Sequence, residues 1–136
     1  MGHGRPKAGI VQISGSHPAN MNKPLIIVNF KTYQGAQGHS AEVLARTMES
    51  VQTDARLVAA VSALDLSSVV EAAPNLEVWC QHLDPISFGS NTGWIHPETA
   101  MARGAKGTLI NHAEHTVSLE QVAMLLDQVP EEFEVC

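Results

Sequence analysis

A chain of 136 residues is long enough for one ordinary domain and too short for two. With 44% hydrophobic residues, 16% charged residues, a formal charge of −6 and no basic cluster, it has a globular composition and lacks the footprint of a nucleic-acid binder. No stretch approaches the ~20 apolar residues of a membrane span, the first residues hold no continuous apolar signal core, and Cys80 and Cys136 make no disulfide framework. The expected setting is the cytoplasm, with neither membrane nor nucleic acid as a partner.

Residues 1–21 include Gly2, Gly4, Pro6, Gly9, Gly15 and Pro18 and read as a flexible extension ahead of a domain over 22–136. Residues 24–34, Pro-Leu-Ile-Ile-Val-Asn-Phe-Lys-Thr-Tyr-Gln, predict the first strand. Four consecutive branched apolar residues suit a parallel strand covered on both faces. This strand carries Asn29 and Lys31 to its carboxyl end, ahead of a glycine-containing loop at 35–38. A lysine there is either a solvated loop residue or an anion ligand, and the run alone leaves both open.

Ser40 is the expected N-cap of a helix striped by Ala41, Leu44, Met48 and Val51. Residues 57–61 predict a second strand, and Ser62 and Asp65 have capping-box spacing ahead of a short helix through Val69, Val70 and Ala73. A third strand over 76–81 places Cys80 as an ordinary buried thiol and ends in Gln81, His82 and Asp84. The loop 85–94 follows, then a helix with Pro97 in its first turn and Gly104 at its end. Residues 107–110 predict a fourth strand delivering Asn111, His112 and Glu114. Ser118 and Gln121 form a second capping box, with Leu119, Val122, Leu125, Leu126 and Val129 striping the helix, and 133–136 start a fifth strand.

The pattern βαβαβαβα(β) is α/β, built of parallel (β/α) units with right-handed crossovers. No GxGxxG or Walker loop is present, which removes the main support for nucleotide binding, and no cofactor is expected. Polar residues gather after each strand, where parallel α/β proteins hold ligands. His112 at a strand end is either structural or catalytic. Backbone N–H groups of the helix start at 116–121 favour a neutral ring that donates a hydrogen bond. Lys31 and Glu114 are placed to pair across neighbouring strand ends, as a bland salt bridge or as a held ammonium. His112 and His115, with His82 and Asp84, lack the cysteine pair or dense cluster of a metal centre, and no metal is expected.

Val-Asn-Phe-Lys-Thr-Tyr (28–33), Gln-His-Leu-Asp-Pro (81–85), Gly-Ser-Asn-Thr-Gly (89–93) and Gly-Thr-Leu-Ile-Asn-His-Ala-Glu (107–114) occur in that order. From residue 24 onward the chain resembles triosephosphate isomerase, its archaeal branch most closely. The resemblance implies the first half of a TIM (β/α)8 barrel, about four βα units plus the start of strand five. It implies interconversion of dihydroxyacetone phosphate and D-glyceraldehyde 3-phosphate, in glycolysis and gluconeogenesis, through an enediolate. Asn29 and Lys31 would bind substrate, with Lys31 offsetting developing negative charge. His112 would be the catalytic electrophile, Glu114 would position Lys31, and Thr92 would lie at a subunit interface.

Ala113 and His115 depart from the commoner His-Ser-Glu-Arg motif. The family's general base and phosphate loops come from later strands, which would fall beyond residue 136. The chain is thus expected to be an isomerase fragment, inactive alone, whose partners are a phosphorylated triose and either the missing half or a second copy. The alternatives are a non-catalytic half-barrel that binds a partner or small anion, and an unrelated flavodoxin-like domain. A half-barrel is expected to leave two open edges and an uncovered inner face.

Overall fold

A computed structural model of the chain describes residues 22–136. The extension read over residues 1–21 lies outside the described residues. Strands β1 (Leu25–Asn29), β2 (Arg56–Val61), β3 (Glu77–Cys80), β4 (Gly107–Thr108) and β5 (Glu134–Val135) form one parallel sheet in sequence order. Helices α1 (His39–Glu49), α2 (Leu66–Ala72), α3 (Pro97–Ala102) and α4 (Leu119–Gln128) fill the crossovers. This is the expected half of a TIM barrel: four βα units and a fifth strand. Among the described residues no helix is long and apolar enough to cross a membrane.

Strand alternation divides the side chains between two cores. Ala59, Val61, Val78 and Cys80 face outward into the helix layer, with Ala41, Ala45, Leu66, Val69 and Leu125. Burial there pushes the Cys80 thiol up to about 12. The inward set is Ile27, Val58, Ala60, Trp79 and Leu109. Below that apolar layer, at the amino ends of the strands, the Arg56 guanidinium reaches Glu77 at 2.7 Å and Glu134 at 2.5 Å. Side chains stand roughly perpendicular to a sheet, so a bond from β2 to β5 forms only where the sheet curls to face itself. Those two carboxylates raise the Arg56 pKa above its already high value.

Two expectations about covering fail in opposite directions. The apolar run of β1 predicts a strand buried on both faces, yet Leu25, Ile26 and Val28 are 41%, 47% and 36% exposed. β1 is a sheet edge, and the helices pack on β2 and β3 instead. The inner face, expected to be open and wet, is instead filled: Val58, Ala60 and Trp79 are at most 1% exposed and Leu109 is 8% exposed. The indole of Trp79 plugs the curl. Gly107 makes room for it, since a Cβ there would fall 2.6 Å from the ring and 2.6 Å from the Glu134 carbonyl oxygen.

Local signals are read with mixed success. The Ser118–Gln121 capping box forms, with Ser118 Oγ accepting from the Gln121 N–H at 3.1 Å and Gln121 Oε1 accepting from the Ser118 N–H at 3.0 Å. The Ser62–Asp65 box does not form. Asp65 is itself the N-cap residue of α2, without a side-chain capping bond, and its carboxylate accepts from the Gly38 N–H at 3.1 Å. Nor is Ser40 the cap of α1, which starts after Gly38. Pro97 opens α3 as expected, and Gly104 follows it at φ 99°, where a Cβ would meet Val70 at 2.8 Å. Val51 lies beyond α1 and is half exposed, while Leu119 and Leu126 leave the α4 stripe bare.

Candidate active site at the carboxyl ends of the strands

The alternation that places Ile27 and Trp79 inward brings Asn29 and Gln81, two residues further on, to the mouth of the curl. Beyond Asn29 the backbone turns sharply, and Lys31 takes φ 53°. That left-handed conformation costs a non-glycine residue about 1–2 kcal/mol, so neighbours must hold it. The Asn29 Oδ1 accepts from the Lys31 N–H at 2.9 Å. The Lys31 carbonyl accepts from Gln37 Nε2 at 3.0 Å and from Gln81 Nε2 at 2.9 Å. The turn is therefore bonded on both sides of the residue.

Held in this way, the Lys31 ammonium lies 2.7 Å from Glu114 Oε2 and 3.2 Å from His112 Nε2. The Lys31 side chain is 24% exposed and the Glu114 side chain 65%. Chiefly the hydrogen bond from Lys31 holds the Glu114 carboxyl below the usual carboxylate range. Lys31 and Glu114 do pair, but not across neighbouring strands, because β2 and β3 lie between them.

The Glu114 N–H points at His112 Nδ1 at 3.1 Å. An acceptor Nδ1 places the single proton of a neutral imidazole on Nε2. The group that fixes this tautomer is a turn amide, and the cap of α4, Ser118, bonds to Gln121 rather than to His112. His112 Nε2–H and the Lys31 ammonium are then two donors converging at one spot. An oxygen acceptor placed there satisfies both.

Behind this group, His82 is 8% exposed and its Nε2 lies 2.9 Å from Asp84 Oδ1. The His115 ring stacks on His82 at 4.0 Å. Asp84 Oδ2 accepts from the Ile95 N–H at 2.7 Å, closing the base of the loop 85–94. Thr92, on that loop, is exposed and lies outside the hydrogen-bonded cluster of Lys31, His112 and Glu114. Among the described residues no three His, Cys, Asp or Glu side chains are grouped to hold a metal ion.

Residues 24–132 match the family model described as triosephosphate isomerase. The chain belongs to the triosephosphate isomerase family. Similar relatives include the triosephosphate isomerase of Methanothermus fervidus, 36% identical over 113 residues, 82% of this chain and 50% of that protein. That of Metallosphaera sedula is 35% identical over 75% of this chain and 45% of its own length. That of Archaeoglobus fulgidus is 36% identical over 79% and 48%. The chain spans about half the length of the curated relatives it matches.

Of the five residues that sequence singles out for a member of the triosephosphate isomerase family, Asn29, Lys31, His112 and Glu114 stand at one mouth and Thr92 lies outside their cluster. Sequence pattern does not mark Gln37, and it marks Gln81 only as part of a polar strand end. The available signal for Gln81 was its parity with Trp79, which points it inward. Arg56 belongs to no motif either. A lone arginine opening an apolar strand, with an acid opening the next, was the sign of it.

Proposed function

We propose that the chain supplies the electrophilic half of a triosephosphate isomerase site, which interconverts dihydroxyacetone phosphate and D-glyceraldehyde 3-phosphate. The observation that carries this reading is the convergence of His112 Nε2 and Lys31 Nζ at 3.2 Å, with the tautomer fixed by the Glu114 amide. Removing a proton beside a carbonyl puts negative charge on its oxygen, and preoriented donors aimed at that oxygen stabilise the charge as it develops. His112 is the neutral electrophile. Lys31 offsets the enediolate charge and attracts the anionic substrate, Glu114 holds Lys31, and Asn29 orders the turn beneath it.

The same reading leaves the base to another segment. Glu114 is engaged by Lys31, Asp84 by His82 and the Ile95 amide, and Asp65 by the Gly38 amide. Glu131 and Glu132 precede β5, at the end of the sheet away from Lys31. We therefore take the 136 residues to be inactive alone and to need a glutamate from the remaining half of a barrel. The bare β1 edge, with Leu25, Ile26 and Val28 exposed, supports a partner that completes the sheet, and the exposed Thr92 loop suits contact with a neighbouring subunit.

The test is an isomerase assay on the chain alone and on the chain joined to the back half of the Methanothermus fervidus relative. Turnover is expected only in the joined form, with His112→Gln lowering kcat more than it raises KM, because its bond strengthens mainly as the oxyanion develops. Turnover by the chain alone refutes the missing-base reading. A folded, joined barrel without turnover refutes the isomerase reading.

A further inference from the structure

Gln81 makes an unusual set of contacts for an uncharged residue at a strand tip. Its Nε2 lies 2.9 Å from the Lys31 carbonyl oxygen, 3.3 Å from Asn29 Oδ1 and 3.3 Å from the Ala60 carbonyl oxygen. One amide thus ties the tip of β3 to the tip of β2 and to the turn after β1. The Lys31 N–H also donates to Asn29 Oδ1, which fixes which end of the Asn29 amide is the oxygen. Gln81 therefore acts on both faces of the Lys31 turn: directly on its carbonyl, and through Asn29 on its amide. Gln37 is the only other described side chain bonded to that carbonyl, and it reaches it from within the same loop, six residues on.

The geometry points to Gln81 as a positioning residue that keeps Lys31 left-handed and so aims its ammonium at His112 and Glu114. The proposal rests on the isomerase reading for its catalytic meaning, but not for its geometry. Left-handed backbone at a lysine is uphill and persists only where its surroundings over-determine it. Strand β3 is the buried support for the clamp, since Val78, Trp79 and Cys80 are each 1% exposed, whereas Thr32–Gly35 of the turn are exposed between buried Phe30 and buried Ala36. Loss of the Gln81 donors lets Lys31 relax toward ordinary φ, and its side chain then leaves the mouth.

The experiment reads the 136-residue chain by NMR, without turnover. In the wild type the coupling between the Lys31 α-proton and the preceding carbonyl carbon, large only at positive φ, reports its left-handed backbone, and the Glu114 carboxyl carbon titrates below the ordinary glutamate value of about 4.3. Gln81→Met keeps the volume and removes both N–H donors. It is expected to return the Lys31 coupling to that of ordinary backbone and to raise the Glu114 midpoint toward the ordinary value. Gln81→Asn, too short to reach the carbonyl, is expected to do the same. Gln37→Met, which leaves Gln81 in place, is expected to keep wild-type values. If one Gln81 variant does not fold, the other decides. Unchanged Lys31 coupling and Glu114 midpoint in a folded Gln81 variant overturn the proposal, and unfolding of both variants makes Gln81 merely structural and overturns it equally. The isomerase reading is untouched by either result, because it depends on turnover of the completed barrel.

Discussion

Lys31 Nζ and Glu114 Oε2 meet at 2.7 Å although 83 residues of chain separate them and two strands lie between their own. In a flat sheet β1 and β4 would be about 14 Å apart, with side chains standing off the surface. The contact therefore reports the curl of the sheet as much as the affinity of the two groups. The curl is braced at the other end by Arg56 and Glu134, from β2 and β5. Between the two polar layers lies Trp79.

The Lys31–Glu114 pair predicts a pH signature. A carboxyl whose folded pKa is depressed contributes stability above its unfolded value, about 4.3, and loses it as pH falls through the lower folded value. Glu114 is exposed, so the effect belongs to the local geometry and adds little to global stability. A carbon-detected titration is expected to give a lower Glu114 midpoint in the wild type than in Lys31→Ala. Equal midpoints would contradict the pairing.

Arg56 should matter more to stability. Its side chain is 12% exposed, and the Glu77 and Glu134 side chains it serves are 32% and 23% exposed. Removing one partner of a buried ion pair costs about 3–5 kcal/mol, and the partial exposure of the acids reduces this to about 2–3 kcal/mol for Arg56→Met. Urea unfolding measures the loss, and faster amide exchange in β5 should accompany it. A change below about 0.5 kcal/mol would show that the network is ornamental.

Much of this was legible in the sequence because strand ends and residue order are local properties. The apolar runs and turn residues place β1 to β4, and Asn29, Lys31, His112 and Glu114 follow from what comes directly after them. What local pattern does not encode is which strand becomes an edge or what fills the inside of a curl. The Leu25–Val28 run reads as buried, yet it lies at the edge the sheet leaves bare. Trp79 reads as one apolar residue among several, although it closes the inner face. Two similar capping-box spacings also had different fates. Gln121 reaches back to the Ser118 amide, whereas the shorter Asp65 turns to Gly38, from another loop.

The inner face makes Gly107→Ala a sharp probe. The new methyl would contact both the Trp79 ring and backbone of β5, so the strain cannot be relieved by one rotamer change. Overpacking of this kind costs about 1–3 kcal/mol. Thermal unfolding should show the loss, with a shift in Trp79 fluorescence. A variant as stable as the wild type would mean that the curl is looser than described.

The bare β1 edge should make the isolated chain bind hydrophobic dyes or self-associate, since Ile26 and Val28 form an exposed apolar strip on a strand paired on one side only. Ile26→Lys places a charge on that strip and is expected to weaken both behaviours while changing stability by less than about 0.5 kcal/mol. Sedimentation and dye fluorescence check this. A dye-silent wild-type monomer would contradict the open edge.

The central claim is that Lys31 belongs to a site and is not simply a surface charge. The most direct measurement compares kcat/KM for Lys31→Ala and Lys106→Ala in the barrel completed by a relative's back half. Lys106 is exposed just before β4, at the amino ends of the strands, whereas Lys31 follows β1 at the opposite end. A charge-assisted contact to a phosphate oxygen or developing oxyanion contributes about 1.5–3 kcal/mol, which corresponds to a roughly tenfold to hundredfold loss. The account predicts that loss for Lys31→Ala and near wild-type kcat/KM for Lys106→Ala. Equal kcat/KM values for the two variants would contradict it.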